Sequence, residues 1–464
     1  MRTLAVRLAF AALLLLCLHA AVMADTVDDY VTTQMQKRHI PGLSLAVVKD
    51  GKVVKMRGYG LASVELNVPA TEESVYQLAS LTKSFTATAV MILVEEGKLN
   101  LDDHVSQHLS GLPASWDGIT IRHLMTHTSG LAGDPIPWSL DTVNKYYPQD
   151  EYLKLIVSAP LQFTPGTRYS YANSDYFLLA LIIEKASGKP YAEFLSERIF
   201  KPLGMTATRV NDPWEVVKGR VNAYGWDNRL VAPLLINPSQ AVGSGNLLSS
   251  VADLVKFDAA LGSGKLLKKS TLEQMWMPAK LAGGEEVSYG LGWTIFNVRG
   301  HKVVGHSGNT IGFASQLSRY DDGTTVILLC NMFRGDDSPF KLSFRLAGFF
   351  IPDLAIPARP ITDADPQFTQ RLKQLLAGFP EGKVDGTIFS PKLRGAFSEE
   401  VIKAMRQEYE QYGPLKSLSL LERRADGANW LDMYRATFEK KSLFYYLKVT
   451  KEGLIDDFGK EPED

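Results

Sequence analysis

The stretch that most constrains the fold runs from Phe85 to Val94, because it is apolar on nearly every side of a helix. A helix on a protein surface carries one apolar stripe, whereas a helix that is apolar all round packs inside the protein. Gly97 follows this stretch and predicts its C-terminal end. We therefore predict a central helix that is enclosed by the other elements of the domain.

The residues just before this helix could carry chemistry. Ser80 and Lys83 are three residues apart, so at a helix start they point along one face. Their hydroxyl and amine could share a proton, which a serine nucleophile needs near neutral pH. The partial positive charge of a helix N-terminus favours an alkoxide or a neutral amine there.

The same Ser-x-x-Lys pattern recurs at Ser338 and Lys341. There Ser338 precedes a proline, and we interpret it as an ordinary helix N-cap with Pro339 at the first helical position. The pattern alone therefore does not identify a nucleophile.

Length and charge exclude some classes of protein. The 464 residues suffice for one large domain and a smaller one. The chain is 45% hydrophobic and 22% charged, as is usual for a soluble globular protein. The net charge of -1 and the absence of a basic block predict neither a nucleic-acid partner nor an anionic membrane partner.

The N-terminus has the pattern of an export signal. A short basic segment, Met1–Arg7, precedes the apolar residues 8–21 and small residues at the cleavage position. This predicts a signal peptide over 1–24, cleavage near Ala24–Asp25, and a secreted or periplasmic protein. A retained anchor is disfavoured because a bilayer needs about 20 apolar residues.

Two cysteines are present, and only Cys330 lies beyond the signal segment. The mature chain is therefore expected to have no internal disulfide. Cys330 lies in an apolar strand pattern, which favours packing over a reactive thiol. Lipidation of Cys17 is disfavoured by the bulky Leu16 before it.

Strand patterns occur towards both ends of the main domain, at residues 42–48, 52–56, 302–306, 313–317 and 325–330. Asp50–Gly51 predicts a hairpin turn between the first two. The region between about 99 and 280 is mostly helical and rich in loops. We therefore predict an α+β fold, with one antiparallel sheet built from both ends and the helical middle packed beside it.

Three further residues could lie close to Ser80, where the predicted sheet packs against the helices. Tyr171 and Asn173 precede a helix predicted over 175–187, on a loop, and His306 ends a predicted strand. Pockets tend to form where such elements meet.

Three motifs in order resemble those of the serine β-lactamase and penicillin-recognising family: Ser80 with Lys83, Tyr171 with Asn173, and His306 with Gly308. The chain is most similar to the class C-like branch, which includes D,D-peptidases, D-aminopeptidases and esterases. Supporting stretches lie at 124–131, 243–250 and 289–293. The resemblance implies a β-lactamase-like domain over 25–352, in which helices and a helical subdomain flank the antiparallel sheet.

The resemblance also implies a role for each catalytic residue. Ser80 attacks a carbonyl to form an acyl-enzyme, and Lys83 is neutral or relays its proton. Tyr171 takes the proton from Ser80 and passes it to the leaving group. Its alternative role is a tyrosine that stacks beside a turn.

Four residues are implied to bind substrate: Asn173, His306, Gly308 and Asn309. Asn173 hydrogen-bonds Lys83 or the substrate amide, and its alternative role is a cap on the following helix. The backbone N–H groups of Ser80 and Asn309 bind the oxyanion. Gly308 lets a substrate lie close along the strand edge.

His306 stands where lysine is usual in β-lactamases, and histidine is only partly charged near neutral pH. Attraction for a substrate carboxylate is then weaker, so β-lactams are expected to be slow substrates. We predict a serine hydrolase that acts through an acyl-enzyme on D-amino-acid peptides or small esters. The alternatives are a β-lactamase proper and a catalytically idle penicillin- or peptide-binding protein.

Two histidine pairs, His104 with His108 and His123 with His127, have the spacing of metal ligands on a helix. Neither has the His-Glu-x-x-His glutamate, so we predict no metal and no cofactor. The expected partner is a small-molecule or peptide substrate, and the oligomeric state stays open.

A proline-rich boundary near Ile351 to Pro360 predicts a linker over 353–364 and an accessory α+β domain over 365–464. Helices are predicted over 366–379 and 398–412, followed by strands over 415–424, 430–438 and 443–450. The region has no catalytic motif, which favours a structural or substrate-shaping role.

Overall fold

The computed structural model describes residues 26–136, 139, 141–332 and 339–463. By contacts within the chain, it divides between Leu354 and Ala355 into two compact units. The signal segment 1–24, Cys17 and Ser338 lie outside the described residues, so the predictions made for them stay predictions.

Within its described residues, the first unit contains fourteen strands, most of them short. In chain order they are β1 (Gly42–Lys49), β2 (Lys52–Ser63), β3 (Val68–Pro69), β4 (Tyr76–Gln77), β5 (Arg209–Val210), β6 (Gly225–Trp226), β7 (Leu230–Val231), β8 (Leu247–Ser249), β9 (Ala279–Lys280), β10 (Glu286–Val287), β11 (Thr294–Val298), β12 (His301–Thr310), β13 (Phe313–Tyr320) and β14 (Thr324–Cys330).

Seven of these strands form one antiparallel sheet in the order β11-β12-β13-β14-β1-β2-β3. The predicted sheet from both ends of the domain is confirmed, since β1 pairs with β14 and places Leu45 opposite Leu328. The predicted hairpin also forms. Asp50 and Gly51 have φ of 49° and 74°, which suits the right-handed twist of the flanking strands.

The helices of the first unit lie mostly between β2 and β11 in the sequence, with one near each of its two ends. They are α1 (26–38), α2 (Thr82–Glu95), α3 (Ile121–Met125), α4 (Gln149–Ser158), α5 (Asn173–Ser187), α6 (Tyr191–Leu195), α7 (Lys201–Leu203), α8 (Val251–Ser263), α9 (Lys269–Met275) and α10 (Pro339–Ala347). Within the described ranges, no helix combines the length and the apolar character needed to cross a membrane.

Helix α2 is buried on every side, as its apolar composition predicts, and every residue from Thr82 to Leu93 is buried. Full burial of one large aliphatic side chain contributes about 1.5–3 kcal/mol. The hydroxyl groups inside the helix have partners, because Thr86 donates to the carbonyl of Gly243 at 2.6 Å and Thr88 donates to that of Ser84 at 2.7 Å. Neither of these two buried hydroxyls is therefore left unpaired.

Cys330 packs in the sheet at 2% exposure, and burial raises the pKa of its thiol to about 12. The predicted packing role fits this environment, because a thiol that stays protonated is a poor nucleophile.

The second unit is a small α+β domain of its own. Its helices are α11 (Pro366–Gly378), α12 (Pro391–Arg394) and α13 (Glu399–Glu410), and its strands are β15 (Leu415–Asp426), β16 (Asn429–Phe438), β17 (Ser442–Val449) and β18 (Ile455–Pro462). The strands form one antiparallel sheet in sequence order. Ser398 caps α13, as predicted, by accepting from the N–H of Val401.

The sequence prediction missed β18. This strand carries Asp456, Asp457, Lys460 and Glu461, and it lies at the edge of its sheet. Charged residues are common on edge strands but give no apolar alternation, so the pattern of a strand is weak there.

Candidate active site

Ser80 lies on a 3-10 turn, Ala79–Leu81, that continues directly into α2. Ala79 has φ of 48°, a left-handed conformation that is unusual for a residue with a side chain. The turn is held to the sheet because Ser315 on β13 donates its hydroxyl to the carbonyl of Leu78 at 2.6 Å. Ser80 is thus presented on a sharply bent, fixed backbone.

Lys83 lies one turn further along and is 0% exposed. Its Nζ is 3.2 Å from Ser80 Oγ, 2.7 Å from Asn173 Oδ1 and 3.0 Å from the carbonyl oxygen of Ser244. Burial lowers the pKa of the Lys83 amine to about 7, although the nearby Asp134 and Asp175 act in the opposite direction. A neutral amine is therefore well populated at neutral pH, within reach of the serine hydroxyl.

Tyr171 reaches the same two side chains from the loop before α5. Lys83 Nζ lies 4.6 Å from the centre of the Tyr171 ring, and the residue keeps 39% of its surface exposed. Desolvation around the hydroxyl raises its pKa, and a hydrogen bond with Ser80 lowers it in part. Tyr171 is accordingly a neutral phenol at neutral pH, next to the serine.

Asn173 is the first residue of α5, which corrects the predicted loop position. Its side chain does not cap the helix. Instead, Oδ1 accepts from Lys83 at 2.7 Å and Nδ2 donates to Asp134 Oδ1 at 2.8 Å. The helix extends to Asn173 because the side chain is engaged by Lys83 and is not free to form a local turn.

Gly308 lies on β12 against the serine turn, and this contact explains the glycine. A Cβ at this position would lie 1.9 Å from the carbonyl oxygen of Leu78 and 2.4 Å from Ser315 Oγ. We predicted that Gly308 leaves space for a substrate, but the backbone of the serine turn occupies this space. Asn309, the next residue, is exposed and lines the cleft together with Ser80.

His306 is buried and neutral, whereas we predicted a partly charged side chain that binds substrate. It is 2% exposed, its Nδ1 lies 2.6 Å from the carbonyl oxygen of Ser307, and its Nε2 lies 2.9 Å from the hydroxyl of Tyr289. A carbonyl only accepts, so Nδ1 carries the hydrogen and Nε2 accepts from Tyr289. Burial and the nearby Lys83 lower the pKa of His306 to about 3, so the ring is neutral.

A buried pair that sequence analysis did not assign lies behind Tyr171. His127 Nδ1 is 2.8 Å from Asp175 Oδ2, Ser129 donates to Asp175 Oδ1 at 2.5 Å, and both partners of the pair are 0% exposed. Burial raises the pKa of Asp175 and lowers that of His127. The pair therefore favours neutral side chains.

The backbone on either side of Tyr171 is attached to this histidine. Ser170 N–H donates to the carbonyl of His127 at 2.9 Å, and Ala172 N–H donates to His127 Nδ1 at 3.2 Å. With the hydrogen shared with Asp175 on the carboxyl group, Nδ1 is free to accept from Ala172. The rings of His127 and Tyr171 are 4.3 Å apart.

The two histidine pairs considered as metal ligands have other roles. His127 has φ of 56° and lies beyond the end of α3, so it does not share a helical face with His123. His108 contacts Asp103 at 3.0 Å, and His104 contacts the carbonyl of Asp117. In the part of the chain that the structure describes, no group of three or more metal-ligand side chains comes together.

Of the predicted site residues, Ser80, Lys83, Tyr171 and Asn173 lie together, and Asn309 lines the same cleft. Sequence analysis missed Asp134, the pair His127 and Asp175, and Tyr289. His127 and Tyr289 lie inside the stretches 124–131 and 289–293, whose resemblance was the available signal. Asp134 is a single acidic residue in a loop and gives no pattern.

The β-lactamase-like fold and a serine beside a buried lysine of lowered pKa define a protein of the serine hydrolase class. A model of the Beta-lactamase family matches residues 27–347. Penicillin-binding protein 4* of Bacillus subtilis is 32% identical over 348 residues, which cover 70% of this chain and 76% of that protein. The chain therefore belongs to the β-lactamase family.

Solved structures extend the comparison. D-amino acid amidase from Ochrobactrum anthropi SV3, complexed with D-phenylalanine, is similar over 71% of this chain and 97% of that chain, with a TM-score of 0.62 and 27% identity. The octameric penicillin-binding protein homologue from Pyrococcus abyssi is similar over 95% of this chain and 96% of that chain, with a TM-score of 0.63. At 23% identity, this second likeness shows the fold alone.

Proposed function

We propose that this protein hydrolyses amide or ester bonds through an acyl-enzyme on Ser80, with D-amino-acid peptides or amides and small esters as substrates. The observation that carries the proposal is the Lys83 amine, which is buried, 3.2 Å from Ser80 Oγ, and has a pKa of about 7. An amine that is neutral at working pH can accept the proton that the serine must lose.

In the proposed first half-reaction, Ser80 Oγ forms a bond to the substrate carbonyl carbon and gives its proton to Lys83. The contact with Tyr171 offers a second route, in which the phenol receives the proton of Ser80 and gives its own proton to the leaving group. The bond to the leaving nitrogen or oxygen then breaks, and the same proton moves to the leaving group. Water afterwards attacks the ester carbon and gives a proton to Lys83. The bond between the acyl carbon and Ser80 Oγ then breaks, and Lys83 returns that proton to Ser80 Oγ as the acid product leaves.

The tetrahedral oxyanion requires preorganised donors, and the backbone N–H groups of Ser80 and Asn309 are proposed for this role. The packing of Gly308 against Leu78 supports it, since this contact holds β12 beside the serine turn. Asn173 orients Lys83 by accepting one of its hydrogens.

The substrate range is proposed from two sources. The similar structure is that of a D-amino acid amidase, which supports acyl transfer from D-amino acids. The neutral, enclosed His306 offers no positive charge to a carboxylate near the scissile bond, which supports slow turnover of β-lactams. We also propose that residues 1–24 direct export, so that the enzyme acts outside the cytoplasm.

Labelling with a fluorophosphonate probe, followed by peptide mapping, tests the nucleophile. The expected adduct is on Ser80, and Ser80→Ala should remove both the adduct and the hydrolysis of p-nitrophenyl acetate. Ser338→Ala is the matched control, because Ser338 belongs to the second Ser-x-x-Lys pattern of the chain. It should retain both.

Two results would favour the other functions. If no serine-directed probe labels Ser80, the protein is a catalytically idle binding protein. If a chromogenic cephalosporin is hydrolysed faster than both the ester and a D-alanyl amide, it is a β-lactamase proper.

A further inference from the structure

The cleft in front of Ser80 has an unequal charge distribution. Among the described residues that line it, Asp134 is the only one with a formally charged side chain. The other polar side chains there are neutral, and they are Gln77, Ser80, Tyr152, Asn173, Gln240, Ser244, Asn309 and Thr310. Lys83 and His306 lie behind this surface at 0% and 2% exposure, so neither presents a cation to a ligand.

Asp134 is exposed, and one of its two carboxylate oxygens has a hydrogen-bond partner among the described residues. Its Oδ1 accepts from Asn173 Nδ2 at 2.8 Å, and among the described residues its Oδ2 has no hydrogen-bond or ion-pair partner. An exposed carboxylate oxygen in a cleft without cations attracts a positively charged ligand and repels a negatively charged one.

Asp134 is also coupled to the nucleophile. The side-chain amide of Asn173 connects it to Lys83, because Asn173 donates to Asp134 and accepts from Lys83 at 2.7 Å. Lys83 in turn contacts Ser80. In an amino-acid amide, the α-ammonium nitrogen is two bonds from the carbonyl carbon that Ser80 would attack. One cleft can therefore hold the carbonyl group at Ser80 and the ammonium group at Asp134.

We propose that Asp134 forms a subsite for the free α-ammonium group of the substrate, so that the enzyme acts at the amino end of a D-amino-acid peptide or amide. This deepens the function proposed above and rests on it for the hydrolytic step. The subsite selects against N-acylated substrates, which lack the positive charge, and against substrates with a carboxylate at this place.

Equilibrium binding to a Ser80→Ala protein tests the subsite apart from catalysis. The ligands are D-alanine p-nitroanilide and its N-acetyl derivative, which differ only in the charge and acylation of the amine. At pH 6.5 we expect the free amine to bind about fivefold more tightly, the effect of one partly exposed ion pair. At pH 9.5 the amine is neutral, since its pKa is about 8, and the advantage should disappear.

Asp134→Asn in the same background is the decisive variant, because asparagine can still accept from Asn173 but carries no charge. It should abolish the preference at pH 6.5, while Asp150→Asn, an exposed carboxylate on α4 outside the cleft, should retain it. Equal affinity for the two ligands, no binding of either, or a preference that survives Asp134→Asn would overturn the proposal.

Kinetics of the intact enzyme separate this proposal from the proposed function. The ratio of kcat/KM for the two anilides cancels the titration of Lys83, so it reports on Asp134 and the substrate amine alone. We expect the ratio to fall about fivefold in Asp134→Asn. Binding that follows the expected pattern without any hydrolysis would reject the hydrolase and retain the subsite.

Discussion

The hydroxyl of Tyr289 donates to Nε2 of His306 at 2.9 Å, and both side chains are at most 2% exposed. This hydrogen bond, together with the carbonyl of Ser307 at Nδ1, engages both ring nitrogens within the protein. His306 therefore acts as a neutral element of the wall behind the nucleophile. Its weak attraction for carboxylates follows from burial rather than from partial ionisation in solvent.

Tyr289→Phe should lower the free energy of unfolding by about 1–3 kcal/mol, because it leaves a buried acceptor of His306 unpaired. Urea unfolding at pH 7 measures the change. Tyr146→Phe is the control, since Tyr146 is 61% exposed and its hydroxyl keeps water as a partner. An equal effect of the two variants would contradict the importance of the Tyr289 hydrogen bond.

The rate of ester hydrolysis should rise with pH as Lys83 loses its proton. With p-nitrophenyl acetate, a substrate that does not titrate, we expect kcat/KM to increase through an apparent pKa of about 7 and then level off. His306 does not titrate in this range because its pKa is about 3. Lys83→Arg should lose about 10³-fold or more, since a guanidinium group stays protonated. If kcat/KM of that variant still rises through the same apparent pKa, a group other than Lys83 titrates.

The buried amine should also make stability depend on pH. The folded-state pKa of Lys83 is about 7, below its usual 10.5, so between these values the unfolded chain binds the proton and the folded chain does not. Stability is then fully present above about pH 10.5 and is lost as pH falls towards 7, by about 1.4 kcal/mol per pH unit. Comparing unfolding free energies of wild type and Lys83→Met at pH 7, 8 and 9 isolates this slope. Parallel pH profiles would show that Lys83 has an ordinary pKa.

Gly308→Ala should displace β12 from the serine turn, because its Cβ would overlap the carbonyl oxygen of Leu78. We expect a loss of about 100-fold in kcat/KM, since displacements near 1 Å have effects of that size. Gly283→Ala is the matched control, as its added Cβ has no neighbour within 4 Å. Full activity in Gly308→Ala would mean that strand and turn move apart without affecting the site.

The shared hydrogen between Asp175 and His127 can be located by substitution. Asparagine resembles a protonated carboxyl group, because it can donate to His127 and accept from Ser129. Asp175→Asn should therefore cost less than about 1 kcal/mol in unfolding free energy, whereas Asp175→Ala leaves buried groups unpaired and should cost about 3 kcal/mol. Equal destabilisation by the two substitutions would indicate an ionised Asp175.

The activity of the same variants tests the link to Tyr171, whose neighbours Ser170 and Ala172 both donate to His127. Asp175→Ala should lower kcat more than it raises KM, because a displaced Tyr171 affects proton transfer rather than binding. Asp175→Asn should restore most of kcat. A purely structural role would reduce the amount of folded enzyme without changing kcat per folded molecule.

Local patterns predicted much of the fold. The buried helix α2, the sheet from both ends of the domain and most of the C-terminal elements follow from apolar periodicity and turn residues. The edge strand β18 was not predicted, because its charged residues do not alternate with apolar ones. Ser80, Lys83, Tyr171 and Asn173 were found because they occur in short motifs, whereas Asp134 and Asp175 belong to none.

The sequence by itself determined that Ser80 and Lys83 share a helix start, because a spacing of three residues places side chains on one face whatever surrounds them. Only the tertiary structure decided their chemistry. The pKa of Lys83 is lowered to about 7 because distant segments bury the amine, and burial likewise lowers the pKa of His306 to about 3. Protonation depends on desolvation and on nearby charges, and both arise only when residues far apart in the chain come together.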